Sequence, residues 1–196
     1  MSSRQCKFPL AALAVLAVLA LSACGDSHTR VTTGTYAGES GANAPYLNIG
    51  PLIYEVQLSR ELNPYNSEDA GYLEGLSPAE RKLAPGQEWF GVFVQVYNNT
   101  SRELPAANEL TISDTQNNVY TPTVPGPNNP YAYRGGTIVP ANGQLPMLDT
   151  TAAFGPTQGL LLLYKIHVVS LDNRPLKLRI VSPNDHYEAV TAELDV

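Results

Sequence analysis

Residues 88–98 read EWFGVFVQVYN, and a strand built from them is apolar on both faces. Side chains alternate across a strand. Phe90, Val92, Val94 and Val96 therefore share one side, and Trp89, Gly91, Phe93, Gln95 and Tyr97 share the other. Bulk on both sides requires a central strand covered twice, and so a layered β domain.

Other segments carry the same period with one apolar face. In residues 52–58, Leu52, Tyr54, Val56 and Leu58 alternate with Ile53, Glu55 and Gln57, as in a half-buried strand. In residues 160–169, Leu160, Leu162, Tyr164, Ile166 and Val168 form one face, while on the other Leu161 and Leu163 give way to Lys165 and His167. Residues 176–180 alternate cleanly, 110–113 and 119–123 form a short pair, and 188–196 make a weak last strand. Pro140 and Pro146 interrupt residues 138–148, which therefore form an edge or a crossing segment. Ser77-Pro78-Ala79-Glu80 predicts a short helix with a capping box, ended by Pro85-Gly86. Long loops fill residues 60–75 and 121–137. The sum is an all-β chain: an antiparallel β-sandwich of seven to eight strands with one short helix.

The first 45 residues lack this pattern. Arg4 and Lys7 give a positive start, residues 8–21 are apolar apart from Pro9, and the small Ser22 and Ala23 precede Cys24. The apolar run falls short of the ~20 residues that span a bilayer, and the layout is that of a signal peptide. Leu21-Ser22-Ala23-Cys24 resembles the lipobox of bacterial prolipoproteins. That resemblance implies a diacylglycerol on the Cys24 thiol, cleavage between Ala23 and Cys24, and usually acylation of the new amino terminus. Two or more acyl chains, at ~0.8 kcal/mol per buried CH₂, anchor stably. In diderm bacteria Asp26 would resemble a signal to stay in the inner membrane; in a monoderm it carries no such meaning. The other cysteine, Cys6, lies in the leader, so no disulfide framework is expected. Residues 25–45 are rich in Gly, Ser, Thr and Ala and predict a flexible tether of roughly 25 Å reach. Gly38-Glu39-Ser40-Gly41 has the wrong spacing for a nucleophile elbow. The expected division is 1–23 signal peptide, 24–45 lipidated tether and 46–196 sandwich domain.

A second likeness lies in the domain. Its Trp89-initiated strand, the Ile112-Ser113-Asp114 to Tyr120 hairpin and the late Gly-Leu-Leu-Leu-Leu-Tyr-Lys of 159–165 resemble immunoglobulin-like domains of unknown function on secreted and lipid-anchored bacterial proteins. The resemblance implies an immunoglobulin-like sandwich and lends no activity. The cysteine pair of antibody domains is absent.

The chain has 18 acids against 12 bases; loss of Arg4 and Lys7 leaves 18 against 10, a net charge of −8. The mature part has no basic run, so nucleic acid is not an expected partner. His167, Ser170 and Asp172 lie close in sequence, but on an extended strand positions 167 and 170 point apart. Asp114, Gln116 and Asn118 are spaced like the start of a calcium loop, yet Val119 replaces its glycine and Pro125 its closing glutamate. At most a weak site of side-chain oxygens remains, and neither metal nor cofactor is expected. Asn98-Asn99-Thr100 is read as a turn.

Two functions stay in view. Tyr65, Tyr72, Tyr131 and Tyr133 sit in Pro/Gly/Asn-rich loops, where aromatic rings give contact area at low entropic cost. They are the candidate contacts of a non-enzymatic binding domain for a cell-envelope protein or glycan; otherwise they fold back over the sandwich ends. The alternative is a cell-envelope glycan-active hydrolase using Glu68, Asp69 and Glu74, since glycosidases work with two carboxyls.

Overall fold

The structure, a computed structural model, describes residues 33–36, 46–155, 157–186 and 188–194. The signal, Cys24, the 38–41 stretch and most of the tether lie outside them. With strands numbered in chain order, one sheet runs β10 (Leu160–His167), β4 (Gln87–Asn98), β3 (Leu52–Leu62), β2 (Tyr46–Ile49), with β9 (Gly143–Leu145) also on β4. The facing sheet runs β1 (Thr33–Tyr36), β12 (Ala189–Leu194), β11 (Leu176–Val181), β6 (Leu110–Ser113), β7 (Val119–Tyr120). The two-residue strands β5 (Leu104–Pro105) and β8 (Ile138–Val139) pair beside them. The short helices are α1 (Ser67–Tyr72), α2 (Pro78–Arg81) and α3 (Thr151–Phe154). The fold is an all-β sandwich, as the alternating segments predict.

The count of seven to eight strands missed the short ones, because two to four residues carry no readable period. Ladders are antiparallel except that β1, inside the segment read as tether, pairs parallel with β12. That pairing rests on backbone hydrogen bonds, which a Gly/Thr segment makes without an apolar pattern.

β4 is central, bonded to β3 on one edge and to β10 and β9 on the other. Its inner row, Phe90, Val92, Val94 and Val96, is fully buried with Tyr54, Val56, Tyr164, Leu178, Ile180 and Val190 from both sheets. Two tyrosines pin the connection after β5 to this core. The Tyr54 hydroxyl accepts the Ala107 N–H at 2.7 Å, and the Tyr133 hydroxyl donates to the Ala107 carbonyl at 2.8 Å. Tyr133→Phe leaves that buried carbonyl without a donor. The expected loss is about 1–3 kcal/mol, seen as a lower urea midpoint at constant slope; an unchanged midpoint contradicts the pinning.

In β3 the register shifts between Val56 and Leu58. The sequence pattern puts Leu58 with Tyr54 and Val56; the extra residue of the bulge turns Leu58 and Leu62 to the opposite face, beside Phe93 and Trp89. Asn98 closes β4: its buried amide donates to the carbonyls of Arg102, Val139 and Pro140, and its oxygen accepts from the Thr100 N–H and hydroxyl. The turn reading of Asn98-Asn99-Thr100 holds.

Candidate functional site

The outer row of β4 carries a second apolar cluster. Trp89, Phe93, Leu161, Leu163 and Leu62 are covered by Tyr72, Leu73 and Leu76. The long 60–75 loop is thus in part strand and in part α1. Asn66 caps the helix by accepting the Glu68 N–H at 2.9 Å. The buried Asp69 of α1 accepts two bonds from Arg60 of β3, at 2.6 and 3.1 Å, and one from the Asn63 N–H at 2.8 Å. Burial raises the Asp69 carboxyl, but the Arg60 and Asn63 hydrogen bonds outweigh it and hold the group below the usual carboxylate range. Glu68 lies 3.9 Å from the same guanidinium. An acid held ionised under an arginine is not a proton donor, and exposed Glu74 offers no partner for one. The geometry of these three acids lends nothing to the hydrolase alternative.

The tyrosines separate. Tyr65 is 96 % exposed, Tyr131 is half-buried, and Tyr72 and Tyr133 are buried. Tyr72 lies edge-on to Phe93 and Tyr131, with ring centroids 5.1 and 5.0 Å away. Tyr72 and Tyr133 are therefore corrected from ligand contacts to packing groups. The cause is that the two long loops are zipped together. The Asn129 amide donates to the carbonyls of Gly71, Tyr72 and Glu74. The Gly126 N–H donates to the Gly75 carbonyl at 3.2 Å, so close that a Cβ on Gly126 would stand 2.7 Å from that oxygen. Only glycines permit this approach.

Beside exposed Tyr65 a groove of about 320 Å³ is bounded by Pro64, Leu73, Arg81, Leu83 and Trp89. Arg81 donates to the Leu73 carbonyl at 3.0 Å and so edges the cleft with a fixed cation. The predicted capping box places it: Ser77 and Glu80 exchange both hydrogen bonds at the start of α2. On Trp89 the Lys165 ammonium sits 5.0 Å from the ring centroid, tied to the Lys82 carbonyl at 2.9 Å. Sequence reasoning missed Trp89 and Arg81 as site residues. The usable signal was the outer β4 row, whose largest ring needed a cover.

The other candidates are structural. β10 ends at His167, and 168–171 form a 3-10 turn, so the strand premise used to separate His167 from Ser170 does not apply. Ser170 is fully buried and donates to Asp114 at 2.7 Å. The Tyr120 hydroxyl lies 2.6 Å from Ser170 and accepts the His167 N–H at 3.4 Å. Asp114 accepts also from the N–H groups of Gln116 and Asn118 and the Asn118 amide. Four donors occupy both carboxylate oxygens, the opposite of a calcium ligand waiting for an ion. Among the described residues no three His, Cys, Asp or Glu side chains are grouped to hold a metal.

No family model matches the chain, and no curated protein matches it. Among solved structures it is similar to the yjhA protein of Bacillus subtilis, with 11 % identity over 81 % of this chain and 100 % of that one, and a TM-score of 0.52. It is also similar to an uncharacterized β-sandwich protein of Clostridium difficile 630, with 10 % identity over 86 % and 97 % of the two chains and a TM-score of 0.47. The first likeness shows the shared sandwich fold and nothing about ligands.

Proposed function

We propose that the chain is a membrane-anchored extracytoplasmic lipoprotein with a non-enzymatic binding domain, and that the Trp89 groove contacts a cell-envelope protein or glycan. The lipobox around Cys24 supports the anchor: its acyl chains would hold the sandwich at the outer side of the cytoplasmic membrane. The observation that carries the binding role is Tyr65, an aromatic ring 96 % exposed at the rim of a groove floored by Trp89. Folding gains nothing from a ring left in water, whereas recognition uses such rings as rigid contact area.

Two measurements test the two halves. Mass spectrometry of the protein from its membrane is expected to find a diacylglyceryl group on Cys24 and no residues 1–23; a free thiol or an intact leader overturns the anchor. Native envelope extract is passed over the 24–196 chain carrying Cys24→Ser, with a Tyr65→Ala form in parallel. The wild type is expected to retain a component that the variant binds about tenfold more weakly. Equal retention by both removes the groove from the proposal.

A further inference from the structure

The α1 cover stops at Phe93, and the outer row of β4 continues past it. Trp89 and Tyr97 lie eight residues apart, about 26 Å along the strand, so what surrounds Tyr97 is a separate place from the Trp89 groove. Cross-strand pairing sets its composition. Tyr46 of β2 pairs with Glu55 of β3, which pairs with Gln95 of β4. One row on, Asn48 pairs with Ile53, Ile53 with Tyr97, and Tyr97 with Gln144 of β9. Residues opposite and two apart share a face. Four adjacent strands thus carry two tyrosines, three side-chain amides and one carboxylate on one face: Tyr46 and Asn48 are exposed, Tyr97 and Gln144 half-buried, and Glu55 and Gln95 buried beneath them.

These groups are coupled. The Tyr97 hydroxyl donates to Glu55 at 2.8 Å and lies against the Gln95 amide oxygen. Burial and the Glu55 carboxylate push the Tyr97 phenol up, so it keeps its proton. That single proton meets two acceptors, and an incoming O–H would supply a second. Tyr46 is 61 % exposed. Next to Tyr97 opens a cavity of about 390 Å³, within the usual size of small-molecule sites, edged by Asn99, Asn142, Gln144, Met147 and Leu148. Its lining is neutral, mixing amides with exposed apolar surface, and among the paired side chains named above Glu55 is the one charged group.

We propose that this face binds a neutral, hydroxyl-rich carbohydrate chain lying across β2, β3, β4 and β9, with one sugar unit in the Tyr97 cavity. The amides of Asn48, Asn99, Asn142 and Gln144 donate to and accept from vicinal hydroxyls, while the Tyr46 ring offers an apolar surface to the C–H side of a sugar. An anionic ligand is disfavoured, because no cation is among these side chains and Glu55 would repel it. A peptide strand would dock on main-chain groups at a sheet edge; here the groups are side chains within the sheet. The inference depends neither on the lipid at Cys24 nor on the Tyr65 groove.

The test is calorimetric titration of the full-length protein with hexasaccharides of β-1,4-linked glucose and of β-1,4-linked N-acetylglucosamine, with hexagalacturonate as the charged control. At least one neutral hexasaccharide is expected to bind with Kd near or below about 1 mM. Tyr46→Ala and Gln144→Ala, both with wild-type melting temperature, should each weaken it at least tenfold, and Tyr65→Ala should not. The proposal is overturned if neither neutral probe binds at about 10 mM. It is equally overturned if the Tyr46 and Gln144 variants bind like wild type, if hexagalacturonate binds the wild type as well as the neutral hexasaccharides do, or if Tyr65→Ala alone abolishes binding.

Discussion

Truncating Trp89 to alanine is expected to lower the unfolding free energy by about 3–5 kcal/mol, the range for emptying a buried aromatic site. Trp89 is only 1 % exposed and lies in the cluster that joins β3, β4 and β10 to Tyr72 and Leu73. Removing its ring leaves a hole under α1 and takes away the surface on which Lys165 rests. Urea unfolding measures the loss. Trp89→Phe should keep more than half of the stability, since it retains an aromatic body. A loss below about 1 kcal/mol for alanine would mean that α1 and its loop are not held by this cluster.

The second large effect is at Asp114. Its carboxylate accepts four hydrogen bonds, including one from the buried Ser170. Asp114→Ala strands those donors and is expected to cost about 3–4 kcal/mol. Burial alone would raise this carboxyl; the bonds from Asn118, Ser170 and Gln116 prevail and hold it below its ordinary value. A depressed folded-state pKa contributes stability that is whole above the unfolded value, about 3.9, and is lost as pH falls through the folded one. Asp69 acts in the same direction through Arg60. The melting temperature should therefore be level near pH 6 and fall steeply as the solution is acidified below about pH 4. Asp114→Asn should melt lower at pH 6 and lose less on acidification; an identical acid slope would rule out the Asp114 contribution.

The strands that bury one full row were legible because alternation survives translation into structure: the inner rows of β4 and β11 are those the pattern assigns, and so is that of β10 up to Ile166. Val168, read onto the same face, lies exposed in the 3-10 turn that follows the strand. Three kinds of feature were not legible. Leu58 changed sides because a bulge leaves no mark in a period-two pattern. Tyr72 and Tyr133 looked like surface groups in polar loops, but Asn129 and the Gly75–Gly126 contact fold those loops inward through bonds between residues more than fifty positions apart. The Tyr46–Glu55–Gln95 and Tyr97–Gln144 rows need strand register, which no single segment contains. Trp89 was assigned its face, yet its groove depends on Tyr65 and Arg81 arriving from elsewhere in the chain.

The one-residue offset at Gln57 works as a frame correction in the middle of β3. Upstream of it the outward positions are Ile53 and Glu55, and downstream they are Leu58 and Leu62. Substitutions in the downstream stretch can therefore be tuned to the helix above them while the upstream stretch drifts toward a different chemistry, with the interior between the sheets untouched. If the bulge were flattened with Gln57 kept in the ladder, every later residue of β3 would swap sides, sending Glu61 outward beneath α1 and the two leucines inward against a space already full. Excising Gln57, by contrast, would leave Leu58 next after Val56 and still opposite Phe93.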